Sequence, residues 1–193
     1  MESLQDRIRR LTAEDVAIAE YDPRWPDMFR EEKAHLLSCC PNGLIRRVEH
    51  FGSTAVPGLA AKPIVDMLVE VSDLEATRTQ IAPLLEAQGY ECLWRPTHGD
   101  DGPPFYAWFI KRNRPCGVRT HHIHMVEAHF TEQWTSLLFR DYLIEHPEIA
   151  QEYEALKRRL ATEFPKDRVA YTRGKTEFIS RITSEAQRHY GKS

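Results

Sequence analysis

A chain of 193 residues is long enough to bury one substantial core and lies near the usual size of a single domain, so residues 1–193 are expected to form one unit. Hydrophobic residues at 41% and charged residues at 28% exclude the disordered, collagenous and membrane-embedded classes. A formal charge of -3 supplies no overall field for a polyanion, which argues against duplex nucleic acid as a partner and leaves only a local basic pocket open.

Met1 to Arg10 is charged and has no continuous apolar stretch, so neither a signal peptide nor a membrane span is expected there. Val16 to Glu20 reads as a short edge strand, Tyr21-Asp22-Pro23 as a turn, and Pro26 to Leu37 as a helix with Met28, Phe29, Leu36 and Leu37 partly at helical spacing. Cys39, Cys40, Cys92 and Cys116 show no CxxC spacing, and the adjacent pair is badly placed to bridge; reduced thiols and a cytoplasmic location follow.

Ile45 to Phe51 and Pro63 to Val71 are β-like, the second so apolar that both of its faces should be covered, as in a central strand. Ser72 to Glu75 has the form of a capping box, and Gly89 stops the pattern, which predicts a helix from about Asp73 to Gln88. Tyr90 to Trp94, Phe105 to Lys111 and Arg119 to Val126 read as three further strands, with a loop from Arg95 to Pro104. Glu132 to Glu145, Pro147 to Phe164 and Arg173 to His189 carry helical spacing, so the last third is expected to be helical.

The chemistry concentrates between Val48 and Asp66. Gly52 permits close backbone approach to a ligand, and Ser53 and Thr54 add hydroxyl and N–H donors suited to phosphate oxygens, although the three residues alone describe an ordinary tight turn. Asp66 interrupts an apolar strand, and a carboxylate there needs a partner: Lys62, Mg²⁺ or a histidine. Asp66, Leu68 and Glu70 share one strand face, as do His122 and His124 on theirs, where imidazoles can bind metal, move protons or meet phosphate.

The run Gly52-Ser53-Thr54-Ala55-Val56-Pro57-Gly58-Leu59-Ala60-Ala61-Lys62-Pro63-Ile64-Val65-Asp66 resembles the GrpB-like family, also called UPF0157, a branch related to nucleotidyltransferases. The resemblance continues through His122-Ile123-His124, Phe139 to Leu143, Tyr153 to Lys157 and Tyr171 to Lys175. It implies an α/β (α+β) fold: a nucleotidyltransferase-like mixed β-sheet flanked by helices, with a helical C-terminal third.

The function implied is binding of a nucleoside triphosphate, or a related phosphorylated small molecule, with Mg²⁺, and transfer of a nucleotidyl group to an acceptor the sequence does not name. Asp66, Ser53 and His124 are then the expected catalytic residues. Gly52, Ser53, Thr54, Lys62, His122, Arg140 and Lys175 are the expected substrate contacts, and Asp66, Glu70 and His124 the metal ligands. The chain departs from the superfamily pattern at Leu68, where a second acid belongs, so two-metal chemistry loses a ligand. Two alternatives stand beside this reading. One is an inactive binding or accessory module associated with coenzyme A biosynthesis or protein folding, since resembling domains occur fused to dephospho-coenzyme A kinases. The other is a Zn²⁺ site built from His122 and His124 with His50 or Asp66.

Overall fold

A computed structural model describes residues 6, 9–11, 14–96 and 105–191. Most of the expected Arg95 to Pro104 loop therefore falls outside the described residues. The chain divides into two compact units that share it in alternation: residues 23–55 and 64–137 build one, and the described residues up to 22, residues 56–63 and 138–191 build the other.

The first unit is a five-stranded mixed sheet with helices. Its strands are β1 (Ile45–Phe51), β2 (Val65–Val71), β3 (Glu91–Pro96), β4 (Phe105–Arg112) and β5 (Arg119–Val126), in the spatial order β1-β2-β5-β4-β3. β2 runs parallel to β5, and the other pairings are antiparallel. Val65, Met67, Leu68, Val69 and Val71 are all buried, which is why β2 reads as an almost continuous apolar run and sits inside the sheet.

One sheet face packs Leu68, Tyr106 and Val126 with Phe130 and Leu137. On the other, helix α1 (Trp25–Cys39) docks through Glu32, a buried carboxylate that accepts from the Tyr90 hydroxyl at 2.6 Å and pairs with Lys111. The ion pair and the phenol together supply the partners that a buried carboxylate requires. Burial, aided by Glu32, pushes the Tyr90 phenol well above its usual range.

The helix expected over residues 73 to 88 is interrupted. It opens as α2 (Leu74–Ala76), widens into a π-helical turn (Thr77–Ile81) and resumes as α3 (Ala82–Ala87). Pro83 lacks the N–H for an ordinary helical bond and its ring crowds the preceding turn, a standard cause of such a bulge. The cap also differs from the expected Ser72 box: Asp73 is the N-cap, its Oδ1 accepting from Ala76 N at 2.6 Å.

The second unit is helical and contains the end of α4 (Thr131–Glu145), with α5 (Pro147–Glu163), α6 (Arg168–Arg173) and α7 (Thr176–His189). Its core joins Val56 and Leu59 to Phe139, Leu143, Tyr153 and Ile182. The expected edge strand Val16 to Glu20 is reduced to one antiparallel bridge, Ala19 with Ala61, bonded at 2.8 and 3.0 Å.

The last expected helix, Arg173 to His189, forms as α7, and a short helix that the spacing does not show, α6, lies in the interval before it. Asp167 caps α6 by accepting from Val169 N and Ala170 N at 3.0 and 2.9 Å, and α6 ends at Gly174 before α7 begins. A Cβ at Gly174 would lie 2.5 Å from Leu160 Cδ2, so a larger residue at the join of α6 and α7 would have to displace the buried Leu160 side chain. No described helix is long and apolar enough to cross a membrane. All four cysteines are free thiols, and burial, reinforced by Cys39, pushes Cys40 up to about 12, which keeps it protonated and unreactive.

Candidate functional site

β1 ends at Phe51 and the chain reverses through Gly52 into a short 3₁₀ turn, Ser53–Ala55, closed by Ala55 N on Gly52 O at 3.2 Å. Gly52 has φ +71°, and a Cβ built on it would stand 2.7 Å from Asp66 Oδ2. Backbone conformation and the adjacent carboxylate thus both demand glycine here. The β1 to β2 register, Phe51 opposite Asp66, is what sets the acid against this turn.

Asp66 is about one-third exposed, and its Oδ1 lies 3.1 Å from His122 Nδ1. The parallel register of β2 and β5 places Asp66 directly beside His122, so of the three partners considered from sequence, a histidine is found there. Arg119, itself buried, brings Nη1 to 3.3 Å from His122 Nε2. A guanidinium only donates, so Nε2 accepts and the imidazole proton sits on Nδ1, directed at Asp66. His122 is therefore a neutral ring that holds the carboxylate in place from one side.

Other expected residues are engaged elsewhere. Thr54 is buried, with its hydroxyl 3.0 Å from His50 Nε2 and donating to Ile64 O at 3.4 Å, so its side chain locks the turn from within. Ser53, half-buried, is the hydroxyl that remains at the turn's surface. His124 is packed by Phe51, Tyr106 and Trp108, with Nδ1 3.3 Å from the Tyr106 hydroxyl. That enclosure pushes its pKa down to about 3, against the opposing pull of Asp66, and keeps it neutral.

The expected metal set is not gathered. Glu70 lies four residues along β2 from Asp66, about 13 Å at the rise of a strand, too far for one ion to reach both. Among the described residues the group of three ligand-type side chains that does converge is elsewhere, at Glu145, His146 and His189. Leu68, in the place of a second acid, is 1% exposed and belongs to the apolar cluster with Tyr106 and Val126.

Lys62, Arg140 and Lys175 belong to the helical unit. Lys62 and Lys175 place their ammonium groups 5.2 and 4.7 Å from the ring centre of buried Tyr171. Lys157 on α5 is buried; its burial and the charge of Lys175 lower its pKa to about 7. Arg140 turns instead to its neighbour Asp141, at 2.7 Å.

The second half of the motif run is held by backbone contacts. Glu154 accepts from Ala60 N at 2.9 Å, and Lys157 donates to Ala60 O, so two side chains one turn apart on α5 grip both polar groups of a single buried residue. The Tyr153-to-Lys157 motif acts here, with Tyr153 stacked on Phe178 at 5.2 Å. Arg119 and Glu154 are the contributors that sequence reasoning left without a role.

Comparison with known proteins agrees with this framework. The family model described as GrpB protein matches residues 15–185. The chain belongs to the GrpB family. It is 39% identical to UPF0157 protein YqkA of Bacillus subtilis over 90% of its length, and it spans about half of that relative, 48%. It is 34% identical to the glutamate-rich protein GrpB of Alkalihalophilus pseudofirmus, covering 89% of this chain and 95% of that one. A crystal structure of GrpB from Enterococcus faecalis aligns with a TM-score of 0.77 at 36% identity, over 90% of this chain and 99% of the other. The mixed sheet flanked by helices is thus the architecture of a GrpB protein.

Proposed function

We propose that this GrpB protein binds a nucleoside triphosphate, or a related phosphorylated small molecule, at the Gly52 turn of its sheet unit, with one Mg²⁺ ion carried on the phosphates. The observation that carries the reading is the placement of Asp66. One carboxylate oxygen is fixed by a neutral imidazole, and the other faces a bend that only glycine can occupy. Mg²⁺ retains several waters and takes one or two carboxylates alongside substrate phosphates, so a single partly exposed aspartate fits that ion when it arrives with its nucleotide.

In this reading Ser53 and the backbone of the turn meet phosphate oxygens, Asp66 meets the ion, and His122 and Arg119 are positioning residues that keep the carboxylate oriented. Mg²⁺ supplies charge neutralisation on the phosphates when bound. Transfer of a nucleotidyl group to an acceptor is the activity consistent with that arrangement.

A second reading, a binding module that holds the ligand without turning it over, is favoured by Leu68, since the position of a second acid is filled by a buried aliphatic side chain. Calorimetry with ATP, GTP, CTP and UTP in the presence of Mg²⁺ tests both. At least one nucleotide is expected to bind, and Asp66→Asn to weaken it at least about tenfold; absence of binding by all four ends the nucleoside triphosphate reading. Pyrophosphate release during incubation then separates the enzyme from the module.

A further inference from the structure

Three side chains from separate helical elements meet at one end of the helical unit. Glu145 is the last residue of α4, His146 occupies the N-cap position of α5, and His189 is the last residue of α7. Their ligand atoms all lie within 4.8 Å of one another. His189 Nε2 is 3.4 Å from Glu145 Oε2, and the two imidazole rings lie 5.6 Å apart at 82°.

The polar state of His146 is incomplete as it stands. Its Nδ1 faces Glu148 Oε1 at 3.4 Å, which favours the tautomer with the proton on Nδ1. Nε2 is then a bare lone pair, and that atom is buried with no hydrogen-bond partner among the described residues. A buried acceptor without a donor costs stability that an ion would recover. A carboxylate on the far nitrogen is also the usual support of a metal-bound imidazole, fixing its tautomer and orientation. Tyr142, its ring centre 4.0 Å from that of His146 and 5.7 Å from that of His189, walls the cluster and limits ring rotation.

From these contacts we infer that Glu145, His146 and His189 form a binding site for a divalent transition ion of the Zn²⁺ class, supported by Glu148. Two imidazoles and one carboxylate are an established donor set for Zn²⁺, with water completing the coordination. Zn–N and Zn–O distances of about 2.0–2.2 Å place ligand atoms roughly 3.4 Å apart in a tetrahedron, so closure needs only a small turn of exposed Glu145 and His189. The ion would tie the end of α7 to the junction of α4 and α5. This site is independent of the nucleotide reading at Asp66, and either can fail alone.

The test uses full-length protein without a histidine tag, stripped by a chelator, then titrated with Zn²⁺ by calorimetry and with Co²⁺ by visible absorption. Zn²⁺ is expected to bind at a single strong site and to raise the melting temperature, and Co²⁺ to give the intense bands of low-coordinate geometry. His189→Gln, at an exposed position, is expected to weaken Zn²⁺ at least about tenfold and abolish the Co²⁺ bands. Glu145→Gln is expected to weaken Zn²⁺ as well, while His129→Gln, at another exposed histidine, leaves binding unchanged. Failure of the wild-type protein to bind either ion, or binding that survives both His189→Gln and Glu145→Gln, overturns the assignment.

Discussion

Gly52 to Ala55 and Val56 to Pro63 are one continuous run in sequence, yet they serve different units. The first part bends around a carboxylate and leaves it partly exposed, with a neutral imidazole steadying it. The second disappears into a core, with Leu59 and Val56 packed among aromatic rings and Ala60 gripped by Glu154 and Lys157. A motif that reads as one ligand-binding loop is thus half a candidate site and half a structural clasp, and a motif match alone does not separate the two.

Four measurements sharpen or break that division. The largest effect is expected in the clasp: Leu59→Ala should cost about 3 kcal/mol in urea unfolding, because it empties a fully packed position. The resonance of the His122 imidazole facing Asp66 should be unchanged in that variant, and its loss would show that the two halves are not separable.

Lys157 gives the second effect, through pH. The folded protein releases this proton near pH 7, because burial and Lys175 disfavour the charge, whereas an unfolded lysine holds it to about 10.4. Unfolding therefore takes up a proton in that window, so the penalty of the buried charge is full below pH 7 and is relieved as pH rises. Wild-type stability should gain about 2 kcal/mol more than Lys157→Met between pH 7 and 9, measured by denaturant titration. Equal gains in the two proteins would place the lysine in water.

Gly52→Ala is expected to cost about 2 kcal/mol, combining a left-handed backbone with a clash against Asp66, and to weaken any Mg²⁺-nucleotide binding. The smallest change is Glu154→Gln, about 1 kcal/mol, since the amide still accepts from Ala60 N but loses its ion pair with Arg158. A larger loss from Glu154→Gln than from Leu59→Ala would reverse the ranking of packing over polar grip.

Much of the fold was legible because its elements follow strong local patterns: β2 is an unbroken apolar run, and α5 and α7 carry regular helical spacing. The misreadings have local causes. Pro83 bulges a helix whose apolar spacing alone reads as regular, and Asp167 starts a helix of six residues, too short to show a spacing of its own between the two expected helices. Val16 to Glu20 has strand-like residues, but it makes one isolated bridge, Ala19 with Ala61, and one further backbone bond, Val16 N to Pro165 O, rather than a ladder.

For the site, residues near the turn could be named, but their pairings depend on register. Nothing along the chain says that β2 lies parallel to β5 with Asp66 opposite His122, or that Arg119, one basic residue at a strand's start, turns inward to that ring. Glu70 shares a strand face with Asp66 and was grouped with it on that basis, although extended backbone carries the two apart. Glu145, His146 and His189 escape notice for a related reason, since only helix packing brings the last of them to the first two.

The alternation of the chain between its units has a practical outcome for anyone dissecting this protein. Residues 56–63 belong with the helices although sheet-unit segments flank them on both sides, so no single cut gives both units all of their own segments: a cut after residue 137 keeps the five strands together but leaves 56–63 apart from α5, α6 and α7. Expressing residues 64–137 alone would forfeit β1 and α1, and expressing 138–193 alone would strip α5 of the segment its Glu154 and Lys157 hold. Separate fragments should therefore aggregate or stay unfolded, whereas co-expressed or re-ordered chains that restore each set of segments are the route to studying one unit without the other.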